Sequence, residues 1–247
     1  MKTALRILLL AATTSVCILA GDLTITSNAS TKGPMGMSSH GIQTVYYGVN
    51  FHKEVNDATK IDTLVDYQKG VFYTIKHKDK KIEMISFDDL AAIAESTAKQ
   101  MEGMPDFMKN MMGGGDVGDV KVEQLGADTI AGRACKKYKL SLGKIVDELS
   151  ADPTLKIPAN PAAYTKFMKL RANALPGSSA SSMSKLYEEL AKIKGIPLKT
   201  HMTGLMGMDV ATEATDVKTT DIPASVWALP EGYKMEDQGK KMRKNMK

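Results

Sequence analysis

Between Asp22 and Ser86 the chain repeats one pattern, short runs of β-branched and aromatic residues broken by Gly, Asn, Asp and Lys. Alternation within such runs puts successive side chains on opposite faces, a period that suits a strand and not a helix. In TVYYGVNF, Val45, Tyr47, Val49 and Phe51 take one face while Thr44, Tyr46, Gly48 and Asn50 take the other. KIDTLVDY and GVFYTIKH follow, with Gln68, Lys69 and Gly70 as the turn between them, and Val71, Tyr73 and Ile75 alternate again. The charged KDKK then turns the chain into IEMIS. Consecutive strands with one packed face and one wetter face predict an antiparallel sheet.

The period changes at Ser86. Ser86 and Asp89 have the spacing of a capping box, and Leu90, Ala94, Thr97, Met101, Met104 and Met108 follow at helical intervals. Pro105 is expected to kink or end this helix, and Gly113, Gly114 and Gly115 release the chain into a loop. Strands resume with DVKVEQLG and, after a turn at Ala127 and Asp128, with TIAGRACKKYKLSLG. KIVDELSAD suits a strand or a short helix. A helical block from Pro161 to about Ala174 and another from Met183 to Ile193 are separated by PGSSASS, and IPLKTHMTG and MDVATEATDVKT read as the last two strands.

The first twenty residues form a different kind of segment. Lys2 and Arg6 precede an apolar run from Ile7 to Ala20, broken only by Thr13, Thr14 and Ser15, and small Ala20 stands before Gly21. This is the build of a cleaved export signal, whereas a spanning helix needs about 20 uninterrupted apolar residues. Thr14, Ser15 and Val16 before Cys17 lack the leucine and small residue of a lipidation site. The expected organisation is a signal peptide over 1–20, one domain over 21–235 with helical insertions near 86–112 and 160–194, and a basic tail without regular structure over 236–247. A domain of that length buries a core without disulfides, and Cys135, left alone, is expected to be a small buried hydrophobe. The compartment implied is periplasmic or extracellular.

The formal charge of +5 does not describe the body of the chain. Seven of the 33 basic residues are Lys2, Arg6, Lys240, Lys241, Arg243, Lys244 and Lys247, which leaves 26 against 28 acidic residues. A nucleic-acid partner is therefore not expected. The basic end is suited to a membrane-surface contact or to simple solvation.

No GxSxG, HExxH, CxxC, glycine-rich phosphate loop or EF-hand pattern occurs, and His40, His52, His77 and His201 lie apart with no metal-ligand spacing. They are expected to be solvated. Asp88–Asp89 and Glu188–Glu189 fall on predicted helices, where exposed faces account for them. The pattern implies no enzyme and no cofactor.

Methionine is the unusual residue, at 17 positions. Its unbranched thioether adapts to irregular apolar partners. Leu90, Ala94, Met101, Met104, Phe107, Met108, Met111 and Met112 are the candidate lid or cavity wall for an apolar ligand. The same stripe also suits plain packing on the sheet. Thioethers are soft ligands for Cu(I), and Met35, Met37, Met206 and Met208 form two Met-x-Met pairs, the alternative metal site.

The opening DLTIT, the strand TVYYGVNFHKEV, the run IDTLVDYQKGVFYTIKHKDKKIEMI, the segment EQLGADTIAGRACKKYKL and the ending IPASVWALPEGYKM together resemble the DUF4412 family of exported bacterial proteins. That family is similar in layout to periplasmic lipoprotein carriers of the LolA and LolB type. The resemblance implies an α+β fold: a curved antiparallel sheet, an incomplete β-barrel, with helices over its concave face and, in the carriers, room there for acyl chains. It carries over no site residue. KIVDELSAD lacks the tryptophan common at that strand in the family, and the Pro161–Ile193 insertion is long. The expected function is non-enzymatic binding of a lipid, acyl chain or other apolar ligand. Two other readings are Cu(I) binding and an envelope structural or interaction role with a protein partner.

Overall fold

The computed structural model describes residues 21–103, 118–173, 178–205 and 207–245. Twelve strands form one sheet: β1 Leu23–Lys32, β2 Ser38–Tyr47, β3 Phe51–Asn56, β4 Ile61–Asp66, β5 Val71–Lys76, β6 Lys81–Ser86, β7 Lys121–Ile130, β8 Arg133–Leu142, β9 Ile145–Asp152, β10 Ile196–Leu205, β11 Met208–Lys218 and β12 Lys234–Asp237. Among the described residues four α-helices accompany them: α1 Phe87–Glu102, α2 Pro161–Asn173, α3 Ser178–Leu190 and α4 Gln238–Asn245. The spatial order is β12-β6-β5-β4-β3-β2-β1-β11-β10-β9-β8-β7. Two meanders, β1–β6 and β7–β11, are thus joined through the antiparallel β1–β11 pair, and only β12 pairs in parallel, on β6. The sheet does not close, which makes the α+β fold an incomplete barrel with β7 and β12 as its free edges.

Three hairpins of the first meander close on a left-handed residue, and the first two add a side-chain acceptor. Asn56 Oδ1 accepts from the Ala58 and Thr59 amides, and Asp66 Oδ1 accepts from those of Gln68 and Lys69. Each turn closes on a left-handed residue, Lys60, Gly70 and Lys80, ten positions apart.

Several boundaries differ from the sequence expectation. TVYYGVNF is not one strand: the Gly48 amide donates to the Phe51 carbonyl at 2.9 Å, and the chain reverses between β2 and β3. Phe51 therefore faces away from Tyr47. The turn expected at Ala127 and Asp128 lies at Ala131 and Gly132, both at positive φ, and β7 runs through Ala127 with a bulge before Gly126. KIVDELSAD is strand β9. α3 starts earlier than expected, within the serine run.

The expected helix starts have clear causes. Ser86 Oγ accepts from the Asp89 amide at 3.0 Å and donates to the Asp89 carboxylate at 2.7 Å, closing the capping box of α1. Asn160 Oδ1 caps α2 through the Ala162 amide at 2.9 Å, with Pro161 in the first turn.

The 236–247 segment, expected to lack regular structure, supplies the end of β12 and then α4, which carries Lys240, Lys241, Arg243 and Lys244. Gly239 is buried against Asp89, and the Arg243 guanidinium pairs with the same carboxylate. A carboxylate at a helix N-terminus attracts a cation that composition alone reads as tail.

The insertions between β6 and β7 and between β9 and β10 carry α1, α2 and α3 onto one face of the sheet. Val65, Phe87, Phe167 and Leu170 pack together with Phe72 and Leu90 under α1 and α2. Leu140, Leu142, Ile145, Leu149 and Ala151 pack against Ala172, Met183 and Leu186 of α2 and α3. On the opposite face, Leu64, Tyr73, Ile75 and Ile82 are covered by Trp227, Leu229 and Tyr233 from the segment after β11. Gly195 lets the chain re-enter the sheet from α3: it sits at φ +102°, and a Cβ there would meet the Asp152 carbonyl.

Candidate functional site

Strand register defines what lies under the helices. Leu23, Tyr47, His52, Val65, Phe72 and Ile85 are successive cross-strand partners from β1 to β6, so they share one face. Five of the six are apolar or aromatic, and the sixth is a histidine. His52 is only 4% exposed, so the expectation of solvated histidines fails here. Its ring stacks on Tyr47 at 4.8 Å and meets the edge of Phe167 at 6.0 Å. Neither ring nitrogen has a hydrogen-bond partner among the described residues.

The next row on this face brings the charges. Glu54 pairs with Arg171 of α2 at 3.0 Å and lies 3.4 Å from His52 Nε2. Burial pushes the Glu54 carboxyl up, but Arg171 and His52 outweigh it and hold the group below its ordinary value. Glu54 in turn raises the Arg171 guanidinium. Burial depresses the His52 imidazole to about 4, so at neutral pH it is uncharged and the close approach of Glu54 is not an ion pair.

Four phenols surround this pair electrostatically. Burial raises Tyr47, Tyr67, Tyr164 and Tyr187, Tyr164 to about 12. Each therefore stays a neutral donor and acceptor across the physiological range. The Tyr67 hydroxyl has no partner among the described residues, and its ring stands edge-on to Phe167 at 6.2 Å. Phe167 also stacks on Phe72 and Phe87, which makes it the hub between sheet and helices. Further along, Asp147 is buried with Oδ1 unpartnered, and burial raises its carboxyl to about 6. Native interiors leave few polar atoms bare, so these four are exceptions to a strong rule.

The candidates from the sequence are placed as follows. Leu90 packs beside Phe87 and Phe167, and Ala94 is half-buried one turn further along α1. Met101 lies in the last turn of α1 and its side chain is outside the described residues, as are Met104, Phe107, Met108, Met111 and Met112. Lys32 pairs with both Ser38 and Asp209, so the segments carrying Met37 and Met208 meet at one end of the sheet. Met37 is 63% exposed, while Met206 and the Met35 side chain lie outside the described residues. Among the described residues no group of three His, Cys, Asp or Glu is arranged for a metal. Cys135 is buried, which pushes its thiol up and leaves it protonated.

The opposite face carries a second histidine line. Asp62 Oδ2 lies 2.9 Å from His77 Nε2, and His77 Nδ1 lies 3.0 Å from the Tyr233 hydroxyl. With a phenol on the covering segment as its third member, this line fastens that segment to β4 and β5.

A family model for a domain of unknown function, DUF4412, matches residues 49–233. The chain belongs to this family. No curated protein matches it. Among solved structures, it is similar to an uncharacterized conserved protein from Thermus thermophilus, with 10% identity, 89% of this chain and 91% of that chain covered, and a TM-score of 0.46. It is also similar to the MucA/MucB complex of Pseudomonas aeruginosa, with 10% identity, 85% and 56% covered, and a TM-score of 0.41. A LolA superfamily protein from Nitrosomonas europaea aligns with 9% identity, 85% and 91% covered, and a TM-score of 0.33.

Proposed function

We propose that this DUF4412 protein is exported and binds an amphiphilic, lipid-like ligand between the sheet and its helical cover without altering it. The observation that carries this reading is the make-up of the covered face. Val65 and Phe72 of the sheet face Phe87, Phe167 and Leu170 of the helices, and this apolar layer adjoins buried polar atoms of His52 and Tyr67 that find no partner among the described residues. Apolar contact supplies affinity at roughly 25 cal/mol per Å² without a demand for directional bonds. Export rests on the charged, apolar and small-residue order of residues 1–20. Among the described residues no helix is long and apolar enough to cross a membrane.

The test is native mass spectrometry with solvent extraction on mature protein, purified without detergent from a bacterial periplasm. A near-stoichiometric lipid or acylated compound supports the reading. A bare mass that also fails to shift with added lipid refutes it. A second reading, Cu(I) binding, draws on the shared end of the two Met-x-Met segments. Replacing Met35, Met37, Met206 and Met208 by Leu abolishes copper binding on that reading and leaves lipid binding intact on the first.

A further inference from the structure

We infer that the polar end of the ligand is an uncharged hydrogen-bonding group, a hydroxyl or an amide, seated against His52 and Tyr67. This rests on the ligand-binding reading above and names the chemistry of the bound head group. Three observations carry it.

The bare atoms are neutral and two-sided. The imidazole of His52 offers one donor and one acceptor, and the Tyr67 hydroxyl can do both. Both rings border Phe167, at 6.0 and 6.2 Å, so His52 and Tyr67 stand against the same aromatic side chain of the helical cover. A hydroxyl or primary amide also donates and accepts, and satisfies both.

The local charges are already balanced. Arg171, the cation that acts on both His52 and Glu54, is engaged by Glu54 at 3.0 Å. A carboxylate or phosphate seated at His52 would stand beside the Glu54 carboxylate, 3.4 Å from the imidazole. Like charges at that range in a poorly solvated site repel strongly. An ammonium would in turn compete with Arg171 for one carboxylate.

His52 is also the one polar member of an otherwise apolar and aromatic row, and it is 4% exposed. Core packing alone is served as well by phenylalanine at that position. A ligand that leaves a buried donor or acceptor unmet forfeits about 1–3 kcal/mol for each, a factor of roughly 5 to 150 in affinity.

The experiment uses the mature chain and a fluorescent acyl probe, displaced at pH 8 by four compounds sharing one decanoyl or decyl chain: monodecanoylglycerol, decanamide, decanoate and decylamine. Monodecanoylglycerol and decanamide are expected to bind at least tenfold more tightly than decanoate and decylamine. In His52→Phe, and to a lesser extent in Tyr67→Phe, that ratio is expected to fall below about threefold. Decanoate or decylamine binding as tightly as the neutral compounds overturns the head-group inference while the ligand-binding reading stands. So does a preference that survives both substitutions in variants with native circular dichroism. Failure of all four to displace the probe, or of the probe to bind, refutes the ligand-binding reading and this inference with it.

Discussion

His52→Phe separates a buried, unpartnered imidazole from one that is solvated or hydrogen-bonded. The histidine titrates near 6.5 in the unfolded chain and near 4 in the folded one. Between those values the unfolded state binds the extra proton, so stability is whole above the unfolded value and falls as pH drops toward the folded one. From pH 7.5 to 4.5 the loss assigned to this group is about 2.5 kcal/mol. Phenylalanine keeps the stack on Tyr47 and the edge contact to Phe167 but cannot titrate. The variant is therefore expected to equal or slightly exceed the wild type at pH 7.5 and to exceed it by about 2–3 kcal/mol at pH 4.5. Urea unfolding at both pH values measures this through Trp227, the only tryptophan, which stacks on Phe51 on the opposite face. A constant difference between the two proteins at both pH values would falsify the burial argument. A loss above about 2 kcal/mol at pH 7.5 would show that the ring nitrogens make bonds the variant has lost.

Asp147→Asn tests another bare group with the opposite sign: its folded value near 6 lies above the ordinary 3.8, so the ionised form destabilises the fold as pH rises through that window. The substitution is expected to stabilise by up to about 3 kcal/mol at pH 7.5 and to give little at pH 3.5, read from urea midpoints. Phe167→Ala removes the contact shared by Phe72, Phe87, Tyr67 and His52. It should cost about 3–5 kcal/mol in denaturant unfolding, and a cost under 1 kcal/mol would mean that α2 does not pack as described. Gly195→Ala sets a methyl against the Asp152 carbonyl at a left-handed position, so a melting temperature unchanged from wild type would contradict the β9–β10 register.

Much of the sheet is legible because alternation and Asx turns are local. Asn56 and Asp66 announce their turns, Ser86 and Asp89 announce α1, and Asn160 with Pro161 announces α2. The errors arise where a local signal is weak or a distant partner decides. Val49, flanked by Gly48 and Asn50, looks like strand yet is 57% exposed at a reversal. Gly126 marks a bulge within β7, not a turn. The basic end looks disordered until Asp89, some 150 residues earlier, is seen to receive Arg243.

The polar cluster was less legible still. His52 lies between Phe51 and Lys53, and nothing local tells which face it takes. Only the pairing of Tyr47, His52 and Val65 across three strands reveals it. Arg171 reaches Glu54 from 117 positions away. The one usable signal was the register of the β2–β3 hairpin, which the Gly48–Asn50 turn sets and which TVYYGVNF, taken as a single strand, conceals.

The most direct test of where a ligand sits is photolabelling of the mature protein with a diazirine-bearing decanoyl glycerol, followed by peptide mapping. Saturable labelling of peptides spanning Phe87–Ala94 and Tyr164–Ala172, competed by unlabelled monodecanoylglycerol, is the predicted result. Labelling confined to the segment around Trp227 on the opposite face, or labelling that no competitor reduces, would contradict binding beneath the helical cover.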